Sequence, residues 1–334
     1  MPLPPRAQIV GTGMFVPPDV YTNKDLEKMM DTSDEWIQQR SGIRERRYAK
    51  AGIGPSDLAL EASKSALSMA GLKSSDIDMI VFATLSPDYY FPGSGAFLQD
   101  HLGCGTIPAI DIRNQCSGFI YGLNVAQAFI ASGLYKRVLL VGAECHSRAL
   151  NFTTAGRDVS VLFGDGAGAL VLVPSDDPNR GVMSVHLHAE GAHRDLLKLE
   201  TPSARSWPMV SKEDLEAGRQ YPKMDGRNVF KHAVTRMPEV VREALTHNKL
   251  SADDVDLYLF HQANMRINEA VMKNLDQPIT KSHNNMDRYG NCSAASIPMC
   301  LDEAVRGGRV KANDVVCMTA FGAGFMWGSA LVRW

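Results

Sequence analysis

A repeat with a very long period constrains this chain more than any other feature of it. Ala66-Leu67, Leu72 and Asp76-Ile77-Asp78 recur as Ala244-Leu245, Leu250 and Asp254-Val255-Asp256, each pair separated by 178 residues. A strand-like apolar run follows both copies, ending at Phe82 in one and Phe260 in the other. Further on, Cys116-Ser117 corresponds loosely to Cys292-Ser293, each leading into a helix and then a strand. The period is far too long for a solenoid and points to duplication into two similar halves. The turn-rich segment 174–179 (PSDDPN) marks the expected boundary, giving an N-terminal half 1–174 and a C-terminal half 175–334.

Strand-like and helix-like stretches alternate throughout, which predicts an α/β architecture. Ser56 to Ala70 reads as a helix capped by Ser56 and stopped at Gly71. The continuous apolar run Met79-Ile80-Val81-Phe82 reads as a strand buried on both faces. Gly118 to Ser132 reads as a helix ending at Gly133, and Val138-Leu139-Leu140-Val141 as another buried strand.

A net charge of −2, with 45% hydrophobic and 22% charged residues, is ordinary for a globular chain and argues against a general nucleic-acid or membrane binder. No basic-then-apolar leader opens the sequence and no run of about 18 apolar residues occurs, so a cytoplasmic protein is expected. The six cysteines are scattered without CxxC spacing, which favours reduced thiols, any one of which could be a nucleophile.

Three segments carry chemistry. Asp111 to Phe119 (DIRNQCSGF) places Cys116 at the start of an apolar helix, where unpaired N–H groups and the helix dipole favour the thiolate and lower the thiol pKa from about 8.5. Taken alone, Cys116 could equally be a small buried hydrophobe. His261-Gln262-Ala263-Asn264 follows a strand, and the repeat sets His261 where the first copy has Ala83. A polar residue at the C-terminal end of an α/β strand is a functional position, although a structural histidine would also fit. Tyr289-Gly290-Asn291-Cys292-Ser293 delivers Asn291 on a glycine turn before a helix of small residues, a setting that is often structural. Cys116 and Asn291 fall at nearly equivalent places in the two copies, so twofold packing would bring them together with His261.

With Thr32 to Ile37, Gly42 to Arg46, Phe163 to Gly168 and Ala320 to Phe325, these segments resemble the β-ketoacyl-[acyl-carrier-protein] synthase III family of thiolase-like condensing enzymes over nearly the whole chain. The resemblance implies a five-layered αβαβα fold built from two pseudo-symmetric halves, and a homodimer. It implies that Cys116 takes an acyl group from acyl-coenzyme A, with the backbone N–H groups of Cys116 and Ala323 as oxyanion hole. His261 and Asn291 would then assist decarboxylation of malonyl-acyl carrier protein and condensation to a 3-oxoacyl product. Implied coenzyme A contacts are Trp36, Arg40, Arg157 and Asn264; Trp36 and Arg40 lie four apart on one helix face and could sandwich the adenine. Implied acyl-pocket residues are Phe91, Met224, Gly226, Phe230 and Phe321, and implied carrier-protein contacts are Lys231, Arg266 and Lys273. No metal or redox cofactor is called for.

Two departures stand out. Arg113-Asn114-Gln115 replaces the usual small residues before the cysteine, as in relatives of specialised metabolism such as alkylquinolone-forming enzymes, which suggests a non-acetyl donor and an extender carried on coenzyme A. The stretch His193 to Gly226, with Trp207 and Tyr221, is longer than usual and borders the acyl pocket. Gly164-Asp165-Gly166-Ala167-Gly168 lacks dinucleotide-loop spacing and runs into a strand-like segment rather than a helix. His186-Leu187-His188, with His193 nearby, keeps a zinc hydrolase as a competing class, without an acidic ligand set to support it.

Overall fold

The computed structural model describes residues 4–334. The first sheet contains β1 (Ala7–Phe15), β2 (Met79–Ala83), β3 (Ala109–Ile112), β4 (Val138–Glu144) and β5 (Gly166–Pro174), in the order β1-β5-β4-β2-β3. The second contains β6 (Gly181–Ala189), β7 (Leu257–Phe260), β8 (Val315–Gly322) and β9 (Met326–Arg333), in the order β6-β9-β8-β7. Both follow one plan: two antiparallel pairings from the outer strand inward, then a parallel one. In the place of β3, the second sheet has a single parallel bridge from Tyr258 to Ser282.

Four helices complete the layering. α1 (Pro55–Ala70) covers the outer face of the first sheet and α3 (Gly226–His247) that of the second. Between the sheets lie α2 (Gly118–Ala131) and α4 (Ser296–Arg306), α2 touching strands of both. The succession is helix, sheet, two helices, sheet, helix. Helices on both faces explain why β4 reads as an unbroken apolar run: residues of either parity are buried, all of Val138 to Val141 completely. In the middle layer Phe119, Ile120 and Leu123 of α2 are fully buried in one core with Leu140, Leu259 and Met318. Each such side chain contributes roughly 1.5–3 kcal/mol by leaving water, and truncating Leu123 to alanine would cost about 2–5 kcal/mol.

The helix read from Ser56 begins instead with Pro55 in its first turn. Gly54 is its cap, and the Gly54 N–H donates to the Asp57 carboxylate at 2.8 Å. Ser56 is not the cap; its hydroxyl donates to Asp88 at 2.8 Å. The stops at Gly71 and Gly133 have φ of 65° and 72°, the left-handed backbone expected there. The loose pairing of Cys116-Ser117 with Cys292-Ser293 also needs correction. Gln115 and Ser293 share an unusual positive φ, 47° and 40°, each in a single 3-10 turn ahead of a central helix. The 178-residue register therefore runs through the turns as well, and Cys116 matches Ala294.

Candidate active site

A cavity of about 510 Å3 opens where the ends of the two sheets meet. Cys116, His261 and Asn291 all line it, so the fold unites the three segments that the sequence singled out. Cys116 lies within the turn Gln115–Ser117, two residues before the start of α2, and its Sγ is 3.5 Å from the Ser293 hydroxyl of the other half. The expected thiolate is not what this environment favours. Burial pushes the Cys116 thiol up to about 11, the Ser293 contact opposing this and the nearby Glu144 carboxylate adding to it. Loss of solvation outweighs the position at a helix start, and the resting group is a neutral thiol.

His261 directly follows β7, and its backbone N–H donates to Thr319 at 2.9 Å, which continues the parallel ladder. Burial holds its imidazole down to about 4, partly opposed by the Ser293 backbone, so the ring is neutral; Nδ1 has no hydrogen-bond partner within the fold. Asn291 is pinned on three sides. Its N–H donates to Leu162, its carbonyl accepts from Gly164, and its Oδ1 accepts from the Ser293 N–H at 2.8 Å. The side-chain amide Nδ2 is the end left to meet a ligand. Gly322 closes the group: a Cβ there would stand 2.9 Å from the Cys116 Cβ, so only glycine lets β8 approach the nucleophile this closely. Ala323 follows in the turn to β9.

At the cavity mouth Trp36 carries two guanidinium groups, Arg40 at 4.5 Å and Arg157 at 5.1 Å from its ring. Arg40 thus lies on Trp36 itself, and a planar ligand entering between them would have to part the pair. Asn264 caps the helix Met265–Asn274, and its Nδ2 donates to the Arg40 carbonyl at 2.8 Å. Met224, Gly226, Phe230 and Phe321 line the cavity as expected. Phe91 does not. It is 80% exposed beside the exposed Tyr89 and Tyr90, outside the cavity of its own chain, because the Pro-containing turn after β2 carries it outward. Arg266 is exposed and lies over the Phe230 ring at 5.5 Å, at the rim; Lys231 and Lys273 are exposed and away from the lining.

Several contributors escaped the sequence reading. Glu144 ends the apolar run of β4, and that break was the one visible signal. It is fully buried and accepts from Leu85 N–H, Ser86 N–H, the Ser86 hydroxyl and the Thr84 hydroxyl, at 2.6–3.2 Å. Phe163, which opens the Phe163 to Gly168 segment, and Leu197, with no distinctive pattern around it, also line the cavity. His186 and His188 do share a face, but both bond the Glu243 carboxylate, at 3.1 and 2.6 Å. Glu190, His193 and His232 bring ligand-type atoms within 4.8 Å of one another, yet Arg236 already pairs with Glu190 at 3.1 Å. The segment after Gly164-Asp165 is β5, and Asp165 is spent on Ala49 and Ser147.

A two-sheet α/β fold with a buried thiol, imidazole and amide converging on one cavity defines a thiolase-like condensing enzyme. A family model of 3-oxoacyl-[acyl-carrier-protein (ACP)] synthase III matches residues 110–191, and the model of its C terminal matches residues 245–334. The chain is 46% identical over 328 residues to the beta-ketoacyl-[acyl-carrier-protein] synthase III of Roseiflexus castenholzii (strain DSM 13941 / HLO8), covering 98% of each chain. It is 44% identical over 329 residues to that of Clostridioides difficile (strain 630), again 98% of each. The crystal structure of 3-oxoacyl-[acyl-carrier-protein] synthase III from Aquifex aeolicus VF5 superposes with a TM-score of 0.90 at 42% identity, over 98% of this chain and 100% of that one. This chain belongs to the β-ketoacyl-[acyl-carrier-protein] synthase III family. That finding displaces the zinc-hydrolase reading.

Proposed function

We propose that this protein joins an acyl group from acyl-coenzyme A to the two-carbon unit of malonyl-acyl carrier protein, releasing CO2 and initiating fatty acid biosynthesis. The convergence of Cys116, His261 and Asn291 on one cavity carries the reading. The Cys116 sulfur attacks the donor thioester carbonyl, its proton passes to the neutral His261, and coenzyme A leaves as thiol. The N–H groups of Cys116 and Ala323 receive the oxyanion. Once malonyl thioester is bound, its carbon–carbon bond breaks and CO2 departs. His261 and the Asn291 amide donate to the enolate oxygen, the enolate carbon attacks the acyl-cysteine, the carbon–sulfur bond breaks, and the released Cys116 sulfur takes up a proton from solvent to restore the thiol. Side chains and backbone N–H groups of the chain supply all of this, without a cofactor.

Trp36, Arg40, Arg157 and Asn264 would grip coenzyme A at the mouth, and Arg266, with Lys231 and Lys273, would meet the acidic carrier protein. A homodimer would cover the exposed Tyr89-Tyr90-Phe91 run and turn Phe91 from an exposed ring into a buried one. The six free thiols suit the reducing cytoplasm, and no helix of the described residues is long and apolar enough to cross a membrane. The test is the mass of the intact protein after incubation with acyl-coenzyme A donors, followed by turnover with malonyl-carrier protein and malonyl-coenzyme A. An acyl adduct mapped to Cys116 is expected, and Arg266→Glu should cripple turnover with the carrier-linked extender while sparing the adduct. A better rate with malonyl-coenzyme A, unaffected by that variant, would instead favour the specialised-metabolism reading of Arg113-Asn114-Gln115.

A further inference from the structure

The root of the long stretch His193 to Gly226 holds a cluster of metal-binding side chains that the condensation does not use. Glu190 directly follows β6, His193 lies in the 3-10 stretch Gly191–Leu196, and His232 projects from α3. One ligand-type atom from each lies within 4.8 Å of the other two, and all three residues are half-buried, within reach of solvent. The imidazoles face each other obliquely, 4.3 Å between centroids. Nε2 of His193 stands 3.6 Å from Oε1 of Glu190, too far for a hydrogen bond. Arg236 engages the other carboxylate oxygen, Oε2, at 3.1 Å and leaves Oε1 to the cluster. A ligating carboxylate is ordinarily held by such an outer partner. The backbone fixes the base of the group: the Glu190 N–H donates to the Phe325 carbonyl at 2.8 Å, and the Phe325 N–H to the Glu190 carbonyl at 3.0 Å.

We propose that Glu190, His193 and His232 form a binding site for a zinc-class divalent ion, with water in the fourth position, that staples together the two ends of the 193–226 stretch. Two imidazoles and one carboxylate suit zinc and its transition-metal neighbours, whereas magnesium and calcium take oxygen ligands. Around a tetrahedral ion with bonds of about 2.0–2.1 Å, ligand atoms stand about 3.3 Å apart. Drawing the cluster in to that spacing takes side-chain rotation, at half-buried positions that allow it. His193 opens the long stretch and His232 follows its return on α3, so the ion would close a loop between residues far apart in the chain. Within that loop Leu197 pairs with Met224, and both line the cavity. The Phe325 ring meets both imidazoles, 5.5 Å from His193 and 5.2 Å from His232, and packs at 4.8 Å on Phe321, another wall residue. The ion takes no part in the chemistry at Cys116; it sets how firmly this wall is held.

The test takes full-length protein without a polyhistidine tag, stripped by a chelator and titrated with zinc alone, by calorimetry and by melting temperature. One ion per chain should bind and raise the melting temperature by several degrees, and magnesium should do neither. Losing only an outer partner of a metal ligand costs about 10–100-fold in affinity, so His193→Gln and His232→Gln should each cost about 100-fold or more and abolish the thermal shift. Cobalt in place of zinc should give the visible absorption of a tetrahedral site in the wild type and not in those variants. Cys116→Ala and His188→Gln, which remove the other groups that attract zinc, should bind it as the wild type does. Failure of zinc to bind the wild type overturns the proposal. So does equal binding by the wild type and His232→Gln, or binding lost in Cys116→Ala or His188→Gln. Zinc-free melting temperatures near that of the wild type show that the variants are folded; should either histidine variant fail to fold, Glu190→Gln decides.

Discussion

At the strand ends of the first half, the 178-residue register places Ala83, Arg113 and Glu144 where the second half has His261, Asn291 and Gly322. The backbone scaffold is the same, with matched strand orders and matched 3-10 turns at Gln115 and Ser293. The chemistry is not. The first half offers a thiol and a buried carboxyl group, the second a neutral imidazole and an amide held by its oxygen. Arg113 faces solvent where Asn291 is buried, so the same turn serves a surface in one copy and a cavity in the other. Two matching frames point their turns at each other, and differences at four positions, Ala83/His261, Arg113/Asn291, Cys116/Ala294 and Glu144/Gly322, make them complementary.

Removing the first half's contribution should have the largest effect. Cys116→Ala should abolish covalent acylation by any acyl-coenzyme A while preserving the fold, since one small side chain replaces another. Acyl label retained stably on that variant would break the division of labour between the halves.

Removing the second half's groups should fall chiefly on the carbon–carbon chemistry that follows acyl-enzyme formation. His261→Ala and Asn291→Ala should each lower decarboxylation and condensation by about 10²–10³, the usual cost of losing one oxyanion-type donor. His261→Ala should also slow acylation, as proton acceptor for a thiol that burial keeps neutral, whereas Asn291→Ala should not. CO2 release and acyl-enzyme formation, tracked separately, check this, and normal CO2 release by either variant would remove that residue from the reaction.

The contact between halves can be probed at two glycines. A Cβ at Gly322 would meet the Cys116 backbone nitrogen at 3.1 Å as well as its Cβ, and one at Gly142 would run into the Ala294 carbonyl. Gly322→Ala should therefore slow acylation about tenfold or more, because the N–H meant for the oxyanion must shift. Gly142→Ala should act chiefly on stability, lowering it by about 1–3 kcal/mol through overpacking. Acylation kinetics and thermal melting, measured on both, would show whether the two turns respond differently to the same intrusion.

Much of this frame was legible in the sequence, for identifiable reasons. Runs such as Val138 to Val141 declare two-sided burial, and a repeat offset shared by Ala66-Leu67 and Asp76-Ile77-Asp78 declares duplication. What escaped depends on three-dimensional neighbours. The protonation of Cys116 is decided by desolvation and by Glu144, residues apart in the chain. A Ser-to-Ala run looks like a serine-capped helix until Gly54 and Asp57 are seen to close its first turn. Phe91 has the composition of a pocket residue, and only its place on the turn after β2 shows that its own chain leaves it exposed. His232 is one polar residue on a long helix, and nothing in the sequence says that its ring will meet that of His193.

The smallest effects should come from two carboxylates, Glu144 fully buried and Glu303 half-buried, that the halves treat in opposite ways. Glu144 has only neutral partners, and burial pushes it up to about 7. Glu303, on α4, is also raised by burial, but His283, Arg288 and Asn285 more than reverse this; Arg288 donates to both its oxygens at 2.8 and 2.9 Å, and the net result is about 2. From an ordinary value of 4.5, Glu303 is therefore protonated in the unfolded chain before it is in the fold, and its stabilisation is complete above pH 4.5 and lost as pH falls toward 2. Glu144 has the opposite sign: the fold holds its proton more tightly than the unfolded chain does, so its contribution falls as pH rises from 4.5 toward 7. Urea midpoints between pH 2.5 and 8 should show Glu303→Gln flattening the acid limb and costing about 1 kcal/mol at neutral pH, the shift being discounted for solvent screening of a half-buried group. Glu144→Gln should flatten the limb between pH 4.5 and 7 and leave the acid limb in place. If both variants altered the same pH window, the contrast between an anion left without a cation in the first half and an ion-paired one in the second would be lost.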